Sequence, residues 1–155
     1  MTDTNIPVVP ATRAADVAGI DGPYGAMAHF DHSIELDETL RELVKLRASV
    51  LNGCAFCVDM HTTDARAKGI DDRRIAAAAS WRHSPFFTAR ERAALALTDA
   101  VTLISNRNEG VPDEVWEEAK AQFSPEELGS LVMAITAINA WNRIAVTLLS
   151  TPPLD

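Results

Sequence analysis

The stretch NGCAFCVDMH, residues 52–61, contains both cysteines of the chain and one of its four histidines. On a helix, Cys57 lies three positions and His61 seven positions after Cys54, so at about 3.6 residues per turn all three project from one face. Cys54 then falls in the first turn, where unpaired backbone amides and the positive end of the helix dipole favour a thiolate over a thiol. Two thiols at this spacing can close a disulfide and reopen it. His61, one turn beyond Cys57, is placed to take a proton from it, directly or through water. An activated sulfur, a second sulfur to resolve its oxidised form and a base are the parts of a redox cycle.

Three other chemistries compete for the same residues. A thioredoxin-like motif follows a strand in a βαβ setting, whereas the residues before Cys54 have a helical pattern. A zinc site would take Cys54, Cys57 and His61 as ligands, with Glu42, Asp64 or water as the fourth. Structural zinc sites usually draw on two elements, and here three ligands would come from one short helical stretch. The plain packing alternative is two small buried residues filling a helix face, because free cysteine is among the most buried residue types. A histidine on the same face as both cysteines weighs against it. Which sulfur attacks stays open on the residues alone, since helix-end electrostatics favour Cys54 and the imidazole favours Cys57.

Glu42 belongs to the preceding helix. One reading is a solvated carboxylate paired with Lys45 one turn on. The other follows from Leu46, Ser49 and Gly53, which share the face of Glu42 and make it an uncharged face that points inward. A carboxylate buried there would have a raised pKa and exchange protons near neutral pH.

The elements that must position these groups are helical throughout. A short helix is expected over residues 23–34, and a firmer one from Asp37 as N-cap to about residue 52, with Leu40, Leu43, Val44, Val50 and Leu51 near one stripe. Gly53 ends it. The cysteine helix runs over residues 54–68 and stops at Gly69. A short helix in DDRRIAAAAS and a loop around WRHSPFF follow. Thr88 and Glu91 form a capping box for a helix to about residue 105, VPDEVWEEAKAQ gives another with Pro112 near its first turn, and Ser124, Pro125 and Glu127 open the longest one. No segment shows period-2 alternation. The expectation is one all-α domain over residues 1–155, a bundle of six to seven helices, with residues 1–15 an irregular arm that could lie over a neighbour.

A chain of 155 residues removes roughly 70% of its unfolded surface from water, so folding needs neither metal nor disulfide and the cysteines are free for chemistry. The net charge of −8 and the absence of a Lys/Arg cluster exclude a nucleic-acid surface. No secretion signal is visible at the N-terminus, so a cytoplasmic, reducing location is expected, where a close Cys pair serves catalysis or metal binding more often than stapling. Residues 128–149 approach membrane-span length, but Asn139, Asn142 and Arg143 interrupt them. A central Arg alone costs about 2.5 to 3.5 kcal/mol on insertion scales.

The longer stretch ELVKLRASVLNGCAFCVDMH resembles the signature of the alkylhydroperoxidase D (AhpD-like) family within the carboxymuconolactone decarboxylase-like superfamily. The pattern is Glu, eleven residues, Cys-x-x-Cys, three residues, His, and Glu42, Cys54, Cys57 and His61 match it. NAWNRIAV, residues 139–146, is similar to the final helix of many members. The resemblance implies an AhpD-like helical bundle and an antioxidant alkyl hydroperoxide reductase. In it Cys57 is the peroxidatic thiol, Cys54 the resolving one, and Glu42 with His61 a proton relay. It also implies a dihydrolipoyl or thioredoxin-like dithiol as reductant, a homo-oligomer (trimer or hexamer), and no cofactor or metal. Members with peroxidase activity often carry His between the cysteines, where this chain has Phe56. The motif also lies in the first half of the chain, as in the shorter relatives. The decarboxylase branch lacks the Cys pair, which disfavours lactone decarboxylation. The alternatives are a disulfide reductase or redox sensor without peroxide turnover, and a non-enzymatic zinc-binding or structural oligomer.

Other residues are expected to be structural. His83 is read as an ordinary loop histidine beside aromatics, and His29 and His32 as residues of the short first helix. Tyr24, Trp81, Trp116 and Trp141 are read as packing or interface residues. Asn139 and Asn142 need hydrogen-bond partners and should fix helix register or a subunit contact.

Overall fold

The computed structural model describes residues 8–154. They form seven α-helices: α1 (Asp21–His32), α2 (Glu38–Leu51), α3 (Ala55–Ala67), α4 (Asp72–Ala77), α5 (Ala89–Thr102), α6 (Asp113–Gln122) and α7 (Pro125–Thr147). Short 3-10 segments occur at Ala14–Asp16, Ala78–His83 and Ile104–Asn106, and no strand is present among the described residues. The all-helical expectation is met.

The helix starts follow their capping chemistry. The Asp37 carboxylate accepts from the Leu40 N–H at 2.9 Å, and Thr88/Glu91 and Ser124/Glu127 make reciprocal capping boxes that satisfy amides otherwise left unpaired. Between α2 and α3 the chain reverses through Gly53 at φ +66°, a left-handed conformation that a side chain would strain. The expected start of α3 shifts by one residue: Cys54 is the N-cap, not a first-turn residue. Its Sγ accepts from the Cys57 N–H at 3.2 Å, the task an Asp or Ser oxygen usually performs.

Two other expectations are corrected. WRHSPFF is not simply a loop, because a 3-10 segment continues to His83. Trp81 is buried there, and its indole N–H donates to Asp99 Oδ2 at 3.2 Å, which ties the segment to α5. Helix α5 ends at Thr102, and its continuation tightens into 3-10 geometry over Ile104–Asn106.

Helix α2 is the central element, packed against α3, α5 and α7. Leu40 and Val44 face one cluster with Leu97, Phe123, Leu131 and Ile135. Leu43 and Leu46 face another with Ile70, Ile75, Trp81 and Leu95. With both sides covered, α2 also buries Glu42, Lys45 and Ser49, so each of these polar groups requires a partner. Part of the answer is an amide lattice. Asn52 Nδ2 donates to both Asn139 Oδ1 and Asn142 Oδ1 at 2.9 Å, Asn142 Nδ2 donates to Ser49 Oγ at 3.0 Å, and Asn139 Nδ2 to Thr102 Oγ1 at 3.0 Å. The two asparagines of α7 therefore fix its register against α2 and α5 within the chain.

No helix among the described residues is long and apolar enough to cross a membrane. Of the expected N-terminal arm, residues 1–7 lie outside the described residues. The next stretch folds back on its own chain, where the Arg13 N–H donates to the Leu148 carbonyl at 2.8 Å.

Candidate redox site

The four residues singled out by spacing meet where α2, α3 and α7 come together. Cys54 and Cys57 are joined as a disulfide with their Cα atoms 5.3 Å apart, and each sulfur-bearing residue is buried. His61, two turns into α3, is 4% exposed, and Glu42 on α2 is 3% exposed. Glu42 Oε2 accepts from His61 Nδ1 at 3.0 Å. The pairing of Glu42 with Lys45 does not occur: Lys45 turns toward α1 and bonds the Asp31 carboxylate at 2.7 Å.

Lys68, absent from the sequence-derived set, completes this group. Its Nζ donates to Glu42 Oε1 at 2.6 Å from the C-terminal cap of α3. Its signal in the sequence is its position seven residues after His61, on the same helical stripe as Cys54, Cys57 and His61. Lys68 is exposed, so Glu42 joins a group in solvent to a histidine that is not.

These contacts reverse the expected direction of the Glu42 titration. Burial by itself would raise the carboxyl pKa, but the hydrogen bonds and positive charges of His61 and Lys68 outweigh it and bring the value down to about 2. Glu42 is therefore a fixed anion at neutral pH, not a group that trades protons. An ionised carboxylate only accepts, so the proton of neutral His61 resides on Nδ1 and the lone pair on Nε2. Nε2 is buried and has no hydrogen-bond partner among the described residues.

Cys57 and His61 line one cleft of about 380 Å³. Its walls are Tyr24 from α1, Phe56 and Met60 from α3, and Ile138, Trp141 and Ile144 from α7. Phe56 is thus an apolar wall at the position between the cysteines. The Tyr24 and Trp141 rings meet edge to face at 4.7 Å, and with Asp31–Lys45 this contact lays α1, which buries no residue of its own, across the cleft. His32 reaches the cleft edge with Nδ1 against the Ala28 carbonyl, whereas His29 and His83 are exposed and take no part. Trp81 is a core residue and Trp116 is 38% exposed, so neither borders the site.

Metal-ligand atoms converge in a different set from the one the sequence suggested. Glu42, His61 and the exposed Asp64 place ligand atoms within 4.8 Å of one another, without either cysteine. Both Glu42 oxygens already accept from His61 and Lys68, so the carboxylate is committed to those donors.

The model of the carboxymuconolactone decarboxylase family matches residues 23–100, a span that holds Glu42, Cys54, Cys57, His61 and Lys68. The chain is 39% identical over 122 residues to the uncharacterized protein YdfG of Bacillus subtilis, covering 79% of this chain and 82% of that one. Among crystal structures it is similar to a protein of unknown function from Agrobacterium tumefaciens that has been suggested to be the antioxidant defence protein AhpD. The two are 41% identical with a TM-score of 0.85, over 94% of this chain and 100% of the other. An uncharacterized peroxidase-related protein from Silicibacter shares the fold at 20% identity, with a TM-score of 0.73 over 86% of this chain and 70% of its own.

Proposed function

The chain belongs to the carboxymuconolactone decarboxylase family, and from that membership we propose that it reduces organic hydroperoxides with Cys57 and Cys54 as a cycling thiol pair. The observation that carries this reading is that Cys57, and not Cys54, shares the cleft with the unpartnered Nε2 of His61. The same sharing supports Cys57 as the attacking thiol.

In the reduced protein, His61 Nε2 takes the proton of the Cys57 thiol. Glu42 stabilises the resulting imidazolium, an interaction worth roughly 4 kcal/mol between unit charges 4 Å apart at an effective dielectric of 20. The thiolate attacks the terminal oxygen of the hydroperoxide. The O–O bond breaks, the alkoxide takes the proton from His61 and leaves as an alcohol, and Cys57 becomes a sulfenic acid. The Cys54 sulfur then attacks Cys57, its thiol proton leaves with the hydroxyl as water, and the Cys54–Cys57 disulfide results. A dithiol returns both sulfurs to thiols and is itself oxidised to a disulfide. The apolar walls of the cleft suit an alkyl or aryl hydroperoxide better than hydrogen peroxide. Assembly into a trimer or hexamer is part of the proposal, with exposed Met133 on α7 and Trp116 on α6 as apolar surface available to it.

Steady-state peroxide consumption with dihydrolipoamide as donor tests this function in the wild type and in Cys57→Ser. Saturable turnover of cumene hydroperoxide that Cys57→Ser abolishes supports it. A rate no better than that of a free thiol, with the disulfide still forming and reopening, would instead identify a disulfide exchanger or redox sensor.

A further inference from the structure

The two cysteines of the disulfide line different cavities. Cys57 lines the cleft with His61. Cys54 lines a second cavity of about 180 Å³, whose wall includes Gly53, Ala55, Val146 and Thr151. Ala145 and Ser150 border both, so these residues and the disulfide separate one space from the other.

We propose that the two half-reactions use separate mouths: hydroperoxide reaches Cys57 through the cleft, and the reducing dithiol reaches Cys54 through the second cavity. The oxidant in this scheme rests on the peroxidase reading; the route of the reductant does not. A thiolate must approach a disulfide from beyond the sulfur it attacks, along the S–S axis, so the cavity that a sulfur faces decides which thiol can reach it. Attack on Cys54 expels Cys57. The S–S electron pair passes to Cys57, and the proton that the attacking thiol gives up to solvent reaches it through His61 Nε2, which shares its cleft. Attack on Cys57 would expel Cys54, whose contact is the Cys57 backbone N–H.

The second cavity selects its occupant by size and polarity. No charged side chain among the described residues lines it, and Cys54 is only 2% exposed. A folded protein face cannot bring a thiol to a sulfur so enclosed. Glutathione would have to strip water from two carboxylates and an ammonium without replacement partners. The fitting reductant is a slender, uncharged arm ending in a dithiol. Its first sulfur bonds Cys54 as the Cys54–Cys57 bond breaks. Its second sulfur then attacks the first, closing a ring disulfide in the reductant and releasing Cys54 as a thiolate.

Rapid-mixing measurements on the full chain separate the two routes. The reductive half-reaction is oxidised protein with dihydrolipoamide, read as thiols formed; the oxidative one is pre-reduced protein with cumene hydroperoxide, read as disulfide formed. Val146 is 43% exposed and Met60 38% exposed, so enlarging either side chain leaves the core intact. Val146→Phe should slow reduction at least tenfold more than oxidation, and Met60→Trp should do the reverse. Thr151→Phe, outside any helix, should repeat the Val146→Phe result. Equal slowing of both half-reactions by either variant, or reduction slowed chiefly by Met60→Trp, would overturn the proposal. A wild type that is reduced by dihydrolipoamide but inert to peroxide would defeat the peroxidase reading, while the reductive comparison would still decide the route.

Discussion

Glu42 accepts from Nδ1 of His61 at 3.0 Å and thereby assigns the lone pair of the imidazole to Nε2, the nitrogen without a partner among the described residues. The carboxylate is held in turn by Lys68 at 2.6 Å. An anion held between an imidazole N–H and an ammonium can serve as a positioning device: in the proposed cycle it fixes the tautomer and stabilises the imidazolium when His61 takes a proton.

Glu42→Gln keeps the size of the side chain but removes the charge that stabilises the protonated ring. General-base assistance contributes about 100-fold or more. Disulfide formation by hydroperoxide at pH 7 should therefore fall by roughly 100-fold, with far-UV circular dichroism unchanged. Rates within twofold of wild type would remove Glu42 from the mechanism.

Lys68→Met deletes one of the two cations that lower the Glu42 pKa. With that ammonium gone the Glu42 carboxyl takes up a proton at higher pH, so the acid limb of the pH–rate profile should move upward. Lys68→Arg should restore the wild-type limb. A profile unchanged in Lys68→Met would show that Lys68 serves stability alone.

The same carboxylate makes stability depend on pH. Its pKa falls from an ordinary 4.5 to about 2 on folding, so its contribution is complete above pH 4.5 and is lost as pH drops toward 2. Urea midpoints should decline over that interval, and less steeply in Glu42→Gln. Parallel declines would contradict the assignment.

Asp31→Ala should strand the Lys45 ammonium, whose side chain is 9% exposed. Breaking a buried pair by removing one partner costs about 3 to 5 kcal/mol in the general case. Here much of that is relieved by release of α1, which buries no residue of its own. Hydrogen exchange should accelerate over residues 21–32 and remain slow in α2.

The helix starts, the shared face of Cys54, Cys57 and His61, and the inward turn of Glu42 could all be read from the sequence, because capping and helical periodicity act over a few residues. The partners of Glu42 and Lys45 could not. Glu42 and Lys68 lie on different helices, and Asp31 reaches Lys45 across a helix junction, so only the packing of α1, α2 and α3 brings them together. The direction of the Glu42 titration was missed for that reason: burial could be inferred without knowing that two cations come with it. Trp81 is a similar case, since its partner Asp99 lies on the next helix and turns an expected loop into a 3-10 segment.

The most direct measurement is where a peroxide first leaves its oxygen. Reduced Cys54→Ser and Cys57→Ser proteins are exposed to cumene hydroperoxide with dimedone present, and the labelled residue is located by mass spectrometry. The account predicts rapid stoichiometric labelling of Cys57 in Cys54→Ser and almost none in Cys57→Ser. Labelling of Cys54 at the faster rate, or of neither sulfur, would contradict it.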